Sequence, residues 1–191
     1  HVVNTGLILK AESEAELAGV LAHEVAHVAA RHGTKQATRG QILNIASIPL
    51  IFMGGWAGYA VRQAAGFAVP LGFLKFSRSM ETEADQLGLK YMYNAGFDPT
   101  AFLDFFERIQ TLEKKKPGLI SKVFSSHPLT DKRIEHAQKE IQKELDPMPQ
   151  YVVDTSEFHD VRDRLYKLEH RRSRDTGKDN APTLRRRAST E

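Results

Sequence analysis

Residues 17–30 read Leu-Ala-Gly-Val-Leu-Ala-His-Glu-Val-Ala-His-Val-Ala-Ala, and only His23, Glu24 and His27 in this stretch are ionisable. Upstream, Ser13 followed by Glu16 has the spacing of a capping box, and Gly33 is a natural stop. A helix of about five turns is expected between them, and one so apolar is largely buried. His23 and His27 stand at i and i+4, on one face, so two imidazole nitrogens can meet one zinc ion. Glu24 is turned away by about 100°, near enough to take a proton from water without being a ligand. Burying three ionisable groups on an apolar helix is costly, and a divalent cation compensates all three. The bland alternative is two core histidines satisfied by hydrogen bonds.

A hydrolytic zinc site takes three protein ligands and keeps one position open. A third histidine six residues after His27 would complete one known arrangement, but that position is Gly33. His32 falls one residue early, at the expected helix end, where it suits compensation of the helix dipole. The candidates elsewhere lie in Ser77–Asp85, Ser-Arg-Ser-Met-Glu-Thr-Glu-Ala-Asp. Glu81 and Asp85 share a helical face while Glu83 points away. One carboxylate could bind metal while the other orients a ligand histidine. Equally, both could belong to a solvated acidic face, and spacing alone does not choose.

The rest of the chain is organised around these two segments. His1–Leu9 reads as a short strand or hairpin remnant, broken at Asn4–Gly6. Gly40–Val61 is an uncharged run of 22 residues and Ala64–Leu74 a second of 11. A helix is expected over Ser79–Asn94, closed by Gly96. Asp98 and Pro99 then start another, whose stripe Phe102, Phe105, Phe106, Ile109, Leu112 has core spacing. Lys114–Gly118 breaks the pattern and Ser125–Leu129 is a loop. Thr130 caps a polar amphipathic helix through Leu145, with Ile134, Ala137 and Ile141 facing in. Asp146–Pro149 is a linker, a last helix covers Ser156–His170, and residues 171–191 have the composition of a disordered tail.

Three motifs in order carry a family resemblance: Glu14–Gly33 around H-E-x-x-H, Ser77–Gly88 around E-x-x-A-D, and Ser126-His127-Pro128 with Arg133. Together they resemble the BepA- and HtpX-like zinc peptidases, over about two-thirds of the chain. The resemblance implies a mainly α, gluzincin-like domain with at most a short N-terminal strand or hairpin. It implies Glu81 as third zinc ligand beside His23 and His27, with Glu24 as general base and Asp85 supporting the ligands. His127 or Arg133 could stabilise the oxyanion, and His127 could instead close the site as a fourth ligand.

Some relatives thread membrane helices between the first two motifs. With His27 and Glu81 at one zinc, the chain would have to cross an even number of times. A helix over Ala64–Leu74 is only ~17 Å long against a ~30 Å hydrocarbon core, so two spans do not fit. Residues 40–76 are therefore expected to form a Gly-rich hydrophobic hairpin or lid over the cleft, with a surface that could touch a membrane. The peptidase domain is expected over 1–145, a linker and C-terminal helix over 146–170, and a basic tail over 171–191.

Bulk properties narrow the function classes. Hydrophobic residues are 41% and charged residues 27%, ordinary for a globular chain. The pI near 9.1 comes from the tail. Residues 171–191 hold seven Lys/Arg against three Asp/Glu, a net +4; the chain totals +3, leaving −1 for the body. No nucleic-acid partner is therefore expected. The absence of cysteine excludes disulfides, thiolate metal sites and cysteine nucleophiles. With His1 rather than Met and no leader pattern, the sequence reads as a processed or excised piece. The expected function is zinc-dependent hydrolysis of unfolded or misassembled proteins in the periplasm or bacterial envelope. The competing function is a chaperone or adaptor built on a zinc-stabilised fold.

Overall fold

In the computed structural model, residues 5–115, 127 and 130–179 are described, without the side chains of 50, 51, 113 and 172–179. Every regular element among them is a helix: α1 Thr5–Lys10, α2 Glu14–Ala29, α3 His32–Phe52, α4 Gly55–Asn94, α5 Thr100–Lys115, α6 Asp131–Glu144 and α7 Ser156–Asp179. Of the expected strand His1–Leu9, residues 1–4 lie outside the described residues, and Thr5–Leu9 is helical instead. Leu7 explains the difference, because one short turn buries it in the core beside Leu89, Met92 and Phe102. Arg108 then takes up the carbonyl of Lys10 at 2.9 Å.

α2 begins as its capping residues require. Ser13 is extended, and its Oγ accepts a bond from the Glu16 amide at 3.2 Å. The Glu16 carboxylate reaches back one residue further than a capping box does, accepting from the Glu12 amide at 2.7 Å and pairing with Arg108. Two more first-turn amides are satisfied from far along the chain. Ala15 N–H donates to Val153 O at 3.0 Å, and Glu14 N–H to Asp154 Oδ1 at 3.2 Å. The extended segment between that linker and α7 thus clips the start of α2, helped by Val152 N–H to Gly96 O at 2.8 Å. Beyond it, α7 buries Phe158 and runs past Arg171 to Asp179, so the start of the expected tail is helical. No proline interrupts the chain there to stop the helix. Residues 180–191 lie outside the described residues.

The other end of α2 departs from expectation. The helix stops at Ala29, and Arg31 takes a left-handed conformation with φ 55°. The chain then restarts at His32, so Gly33 lies inside α3 rather than ending α2. α3 and α4 are joined only by Met53–Gly54, and Gly55 has φ 68°, a value that suits glycine. Their contacts pair Gly40 with Phe73, Arg39 with Phe76 and Met53 with Arg62, one number falling as the other rises. The two helices are therefore antiparallel. The apolar run over 64–74 and the helix expected over 79–94 belong to one helix, which continues through Pro70. The hairpin does not bury its apolar side chains over a cleft: Phe52 and Trp56 are 82% and 85% exposed, and Phe67 and Leu71 also face solvent.

The core lies where α2, α4 and α5 meet. Phe102, Phe105, Leu89, Met92 and Ile109 are fully buried there, with Phe102 edge-on to Phe106 at 4.2 Å. Leu112, at the end of the expected stripe, is 38% exposed. At α6, Thr130 occupies the N-cap position in extended conformation but its side chain makes no capping bond. Ala137 is buried, and Ile134 and Ile141 pack against the core.

Close approach of α2 and α4 is set by small residues. Ala15, Ala26 and Ala84 are fully buried. A Cβ on Gly88 would stand 3.1 Å from the His23 nitrogen, 3.2 Å from its Cα and 3.3 Å from the Ala22 carbonyl carbon. These are backbone atoms on a packed helix, which cannot yield as a flexible side chain would. We expect Gly88→Ala to push the helices apart, costing about 1–3 kcal/mol. Thermal melting and metal titration check this, and an unchanged melting temperature would mean that the helices accommodate the methyl.

Candidate metal centre

α2 presents His23 and His27 to α4, which presents Glu81 and Asp85, while the segment before α6 brings in His127 and α6 brings in Arg133. His23 Nε2 and His27 Nε2 face each other at 3.1 Å. Glu81 closes the triangle, with Oε2 3.5 Å from His23 Nε2 and Oε1 3.4 Å from His27 Nε2. These separations approach the edge of a tetrahedron with ~2.1 Å metal–ligand bonds, about 3.4 Å. One ligand atom from each of His23, His27, Glu81 and His127 fits within 4.8 Å of the others. Two imidazoles and a carboxylate suit a divalent transition metal.

The surrounding groups hold this set in place. Asp85 Oδ1 lies 2.9 Å from His23 Nδ1, so the ring edge away from the triangle is oriented by a buried carboxylate. Arg133 grips Asp85 through two bonds, Nε to Oδ2 and Nη2 to Oδ1, both 2.7 Å. Its Nη1 lies 3.0 Å from Glu81 Oε2. Arg133 is buried over the Phe106 ring and directed at two carboxylates. It is neither a solvent-facing helix residue nor aimed at open space beside Glu24. Phe106 also stands edge-on to His23, so α5 forms an apolar floor beneath the site.

Electrostatics follow from this packing. Burial works to keep Glu81 protonated, but hydrogen bonds from His127 and His23, with the charge of Arg133, hold it well below the usual carboxylate range. Burial pulls His23 down, yet its bonds to Asp85 and Glu81 more than offset this and leave it raised. His27 is pushed down to about 4 by burial and by the neighbouring His23 charge. Burial opposes the Arg133 charge, and Asp85 outweighs it. The arrangement thus favours an ionised Glu81 and a neutral His27, as metal ligands require, while the raised His23 gives up its proton on binding a metal.

Glu24 and His127 stand at the open side. Glu24 belongs to the same helix as the histidines and is partly exposed. His127 Nδ1 is 2.8 Å from Glu81 Oε1, its Nε2 is 3.6 Å from Glu24 Oε1, and its ring is 4.8 Å from that of His27. Ser126 and Pro128, beside it in the motif, lie outside the described residues.

Residues 2–141 match peptidase family M48. The chain belongs to that family. Its metallopeptidase character implies a catalytic metal, and the His/Glu cluster is where one fits. The chain is 31% identical to the beta-barrel assembly-enhancing protease of Yersinia pestis over 72% of its length and 29% of the relative's. It is 28% identical to the protein of the same name in Escherichia coli K12, covering 82% of this chain and 32% of that one. It is 35% identical to the mitochondrial metalloendopeptidase OMA1 of Schizosaccharomyces pombe, over 68% and 37%. The chain spans about a third of the length of these relatives.

Two features of the site have weak signals in the sequence. Arg133 was marked by its motif, but its bidentate hold on Asp85 depends on α6 packing against α4. His32 is 3% exposed and its Nδ1 lies 2.9 Å from His27 Nδ1. In an unbroken helix it would be turned about 140° from His27 and out of reach. Only the break at Arg31 returns it, and arginine gives no warning of a left-handed residue.

Asp85 is the member whose removal separates metal binding from ligand identity. Asp85→Ala leaves the Arg133 charge buried and His23 unoriented. We expect a loss of about 3–5 kcal/mol in folding stability and roughly 10–100-fold in metal affinity, with one metal per chain still bound at saturation. Denaturant melts and chelator competition check this. Full affinity in the variant would remove Asp85 from the support of the site.

Proposed function

We propose that the protein is a zinc endopeptidase that hydrolyses unfolded or misassembled polypeptides. The observation that carries this reading is the placement of Glu24, partly open, beside a buried triangle of His23, His27 and Glu81. A purely structural zinc needs neither an adjacent base nor an open side. In this reading His23, His27 and Glu81 hold the ion. When bound, zinc lowers the pKa of water toward ~7 and polarises the scissile carbonyl. Glu24 accepts the water proton and returns it to the leaving amine.

Of the two candidate oxyanion donors, His127 is favoured, since its ring faces Glu24 while Arg133 holds Asp85 and Glu81. His127 is equally placed to enter the ligand set in a resting state, because it already contacts Glu81 at 2.8 Å. Arg133 and Asp85 act by positioning the ligands. The bacterial relatives named for β-barrel assembly support a role in envelope protein quality control, in the periplasm, and the mitochondrial relatives support the same chemistry in another compartment.

A second reading, binding rather than cleavage, is favoured by the exposed apolar hairpin, which offers a surface to chaperone clients. No described helix is long and apolar enough to cross a membrane. Between His32 and Met80 the charged residues are Lys35, Arg39, Arg62, Lys75 and Arg78, with no acidic residue among them. We propose that the α3–α4 hairpin rests on an anionic membrane surface through Phe52 and Trp56 at its tip, with Arg62 near the tip and the other four cations further along the hairpin. The protein should float with vesicles of anionic lipid and not with neutral ones. Replacing both Phe52 and Trp56 by Ser should abolish flotation, and undiminished flotation of that variant would contradict the proposal.

For the enzyme reading, Glu24→Gln should retain one zinc per chain and lose cleavage of unfolded casein by at least about 10²-fold. Glu81→Ala should lose the zinc. If Glu24→Gln kept its biological activity, the binding reading would replace the enzymatic one. His127→Ala should lower kcat about 10²–10³-fold if the ring serves the oxyanion, and raise basal proteolysis if it closes the site. Unchanged activity and zinc affinity would assign it neither role.

A further inference from the structure

His32 is a buried imidazole that the hydrolytic machinery leaves unused. His27 directs Nε2 toward His23 and Glu81, which leaves Nδ1 facing away from the metal position. There it meets His32 Nδ1 at 2.9 Å, and His32 Nε2 lies 3.2 Å from Glu83 Oε2. Glu83 is half-exposed, with Lys35 Nζ at 3.9 Å. We propose that Glu83 and His32 form a directed hydrogen-bond chain that positions His27 and fixes which of its nitrogens carries the proton.

The direction follows from donor and acceptor counting. A carboxylate only accepts, so His32 must donate to Glu83 from Nε2. A neutral imidazole has one donor and one acceptor, so His32 Nδ1 is then the acceptor. With His32 neutral, His27 donates to it from Nδ1, which leaves the lone pair on Nε2, the atom that faces Glu81. Each bond dictates the next, and the exposed carboxylate sets the state of a buried ligand two rings away. His23 is oriented by Asp85 directly, at 2.9 Å. The two histidines of the motif are thus held by different means, one by a buried carboxylate and the other through a second imidazole.

Backbone geometry supports the same assignment. His32 reaches His27 only because Arg31 adopts φ 55°, a conformation that side-chain-bearing residues rarely take. The antiparallel pairing of α3 with α4 then sets His32 opposite Glu83, in register with Arg39 opposite Phe76. Strain at residue 31 and the pairing of two helices converge on one imidazole.

The inference rests on His27 being a metal ligand, so its test includes a readout that needs no metal. In the full chain, long-range proton–nitrogen NMR of the metal-free protein reports the tautomer of each histidine, and chelator competition reports zinc affinity. We expect His27 to carry its proton on Nδ1. His32→Leu should mix the His27 tautomers and weaken zinc roughly 10–100-fold. His32→Gln, which restores a carbonyl acceptor, should recover most of both. Glu83→Ala, at a half-exposed position that should fold without difficulty, should shift the His32 tautomer and weaken zinc several-fold. An unchanged His27 tautomer and affinity in a folded His32→Leu would overturn the proposal. So would an unchanged His32 tautomer in Glu83→Ala, even if His32→Leu failed to fold. A wild-type chain that binds no zinc would refute the metal reading instead, and the tautomer measurement would still decide the chain of bonds.

Discussion

The structure depends on two helices approaching closely enough for carboxylates on one to meet imidazoles on the other. α4 passes α2 with Gly88 against the backbone of His23, and no larger side chain fits between them. That contact sets Asp85 beside His23 and Glu81 beside both histidines. Burying so many ionisable groups would be prohibitive singly. Arg133 neutralises part of the cost by binding both carboxylates, and a divalent cation would neutralise more. The apolar floor of Phe102 and Phe106 keeps water from this side and strengthens each interaction.

Other elements can be understood as means of holding that contact. The extended segment at 152–154 ties the first turn of α2 to the loop after α4, through Val152 and Gly96. α5 packs under both helices, and Arg108 links it to the capping residue Glu16 and to the end of α1. α6 carries Arg133 into the cluster and follows His127 on the open side. The projecting half of the α3–α4 hairpin takes no part in that contact. Its apolar side chains remain exposed, while its base delivers His32 to His27.

The site was more legible in the sequence than the fold around it. His23, Glu24 and His27 announce themselves because three ionisable residues on an otherwise apolar helix demand a compensating partner. Glu81 was ambiguous by spacing, and resemblance to a family supplied what periodicity could not. The α5 core stripe was readable up to Ile109, because aromatic residues at helical spacing have few other uses. Helix ends were misread where tertiary contacts overrode local signals. Gly33 looked like a stop, yet the break falls at Arg31, which no propensity rule marks. The N-terminal residues looked like a strand, but burial of Leu7 selected a helical turn. The continuity of α4 was hidden because the stretch from Lys75 to Arg78 separates the apolar run 64–74 from the helix read over 79–94. His32 was assigned to the helix dipole because its distance from His27 depends on that unforeseen break.

The central claim is that α2 and α4 meet in order to hold one metal ion between His23, His27 and Glu81. X-ray absorption at the zinc edge of the purified, zinc-loaded chain tests it most directly. The account predicts a first shell of nitrogen and oxygen only, at ~2.0–2.2 Å, with the outer scattering of two or three imidazoles. A shell of water oxygens without imidazole scattering, or a chain that retains no zinc after dialysis, would contradict it.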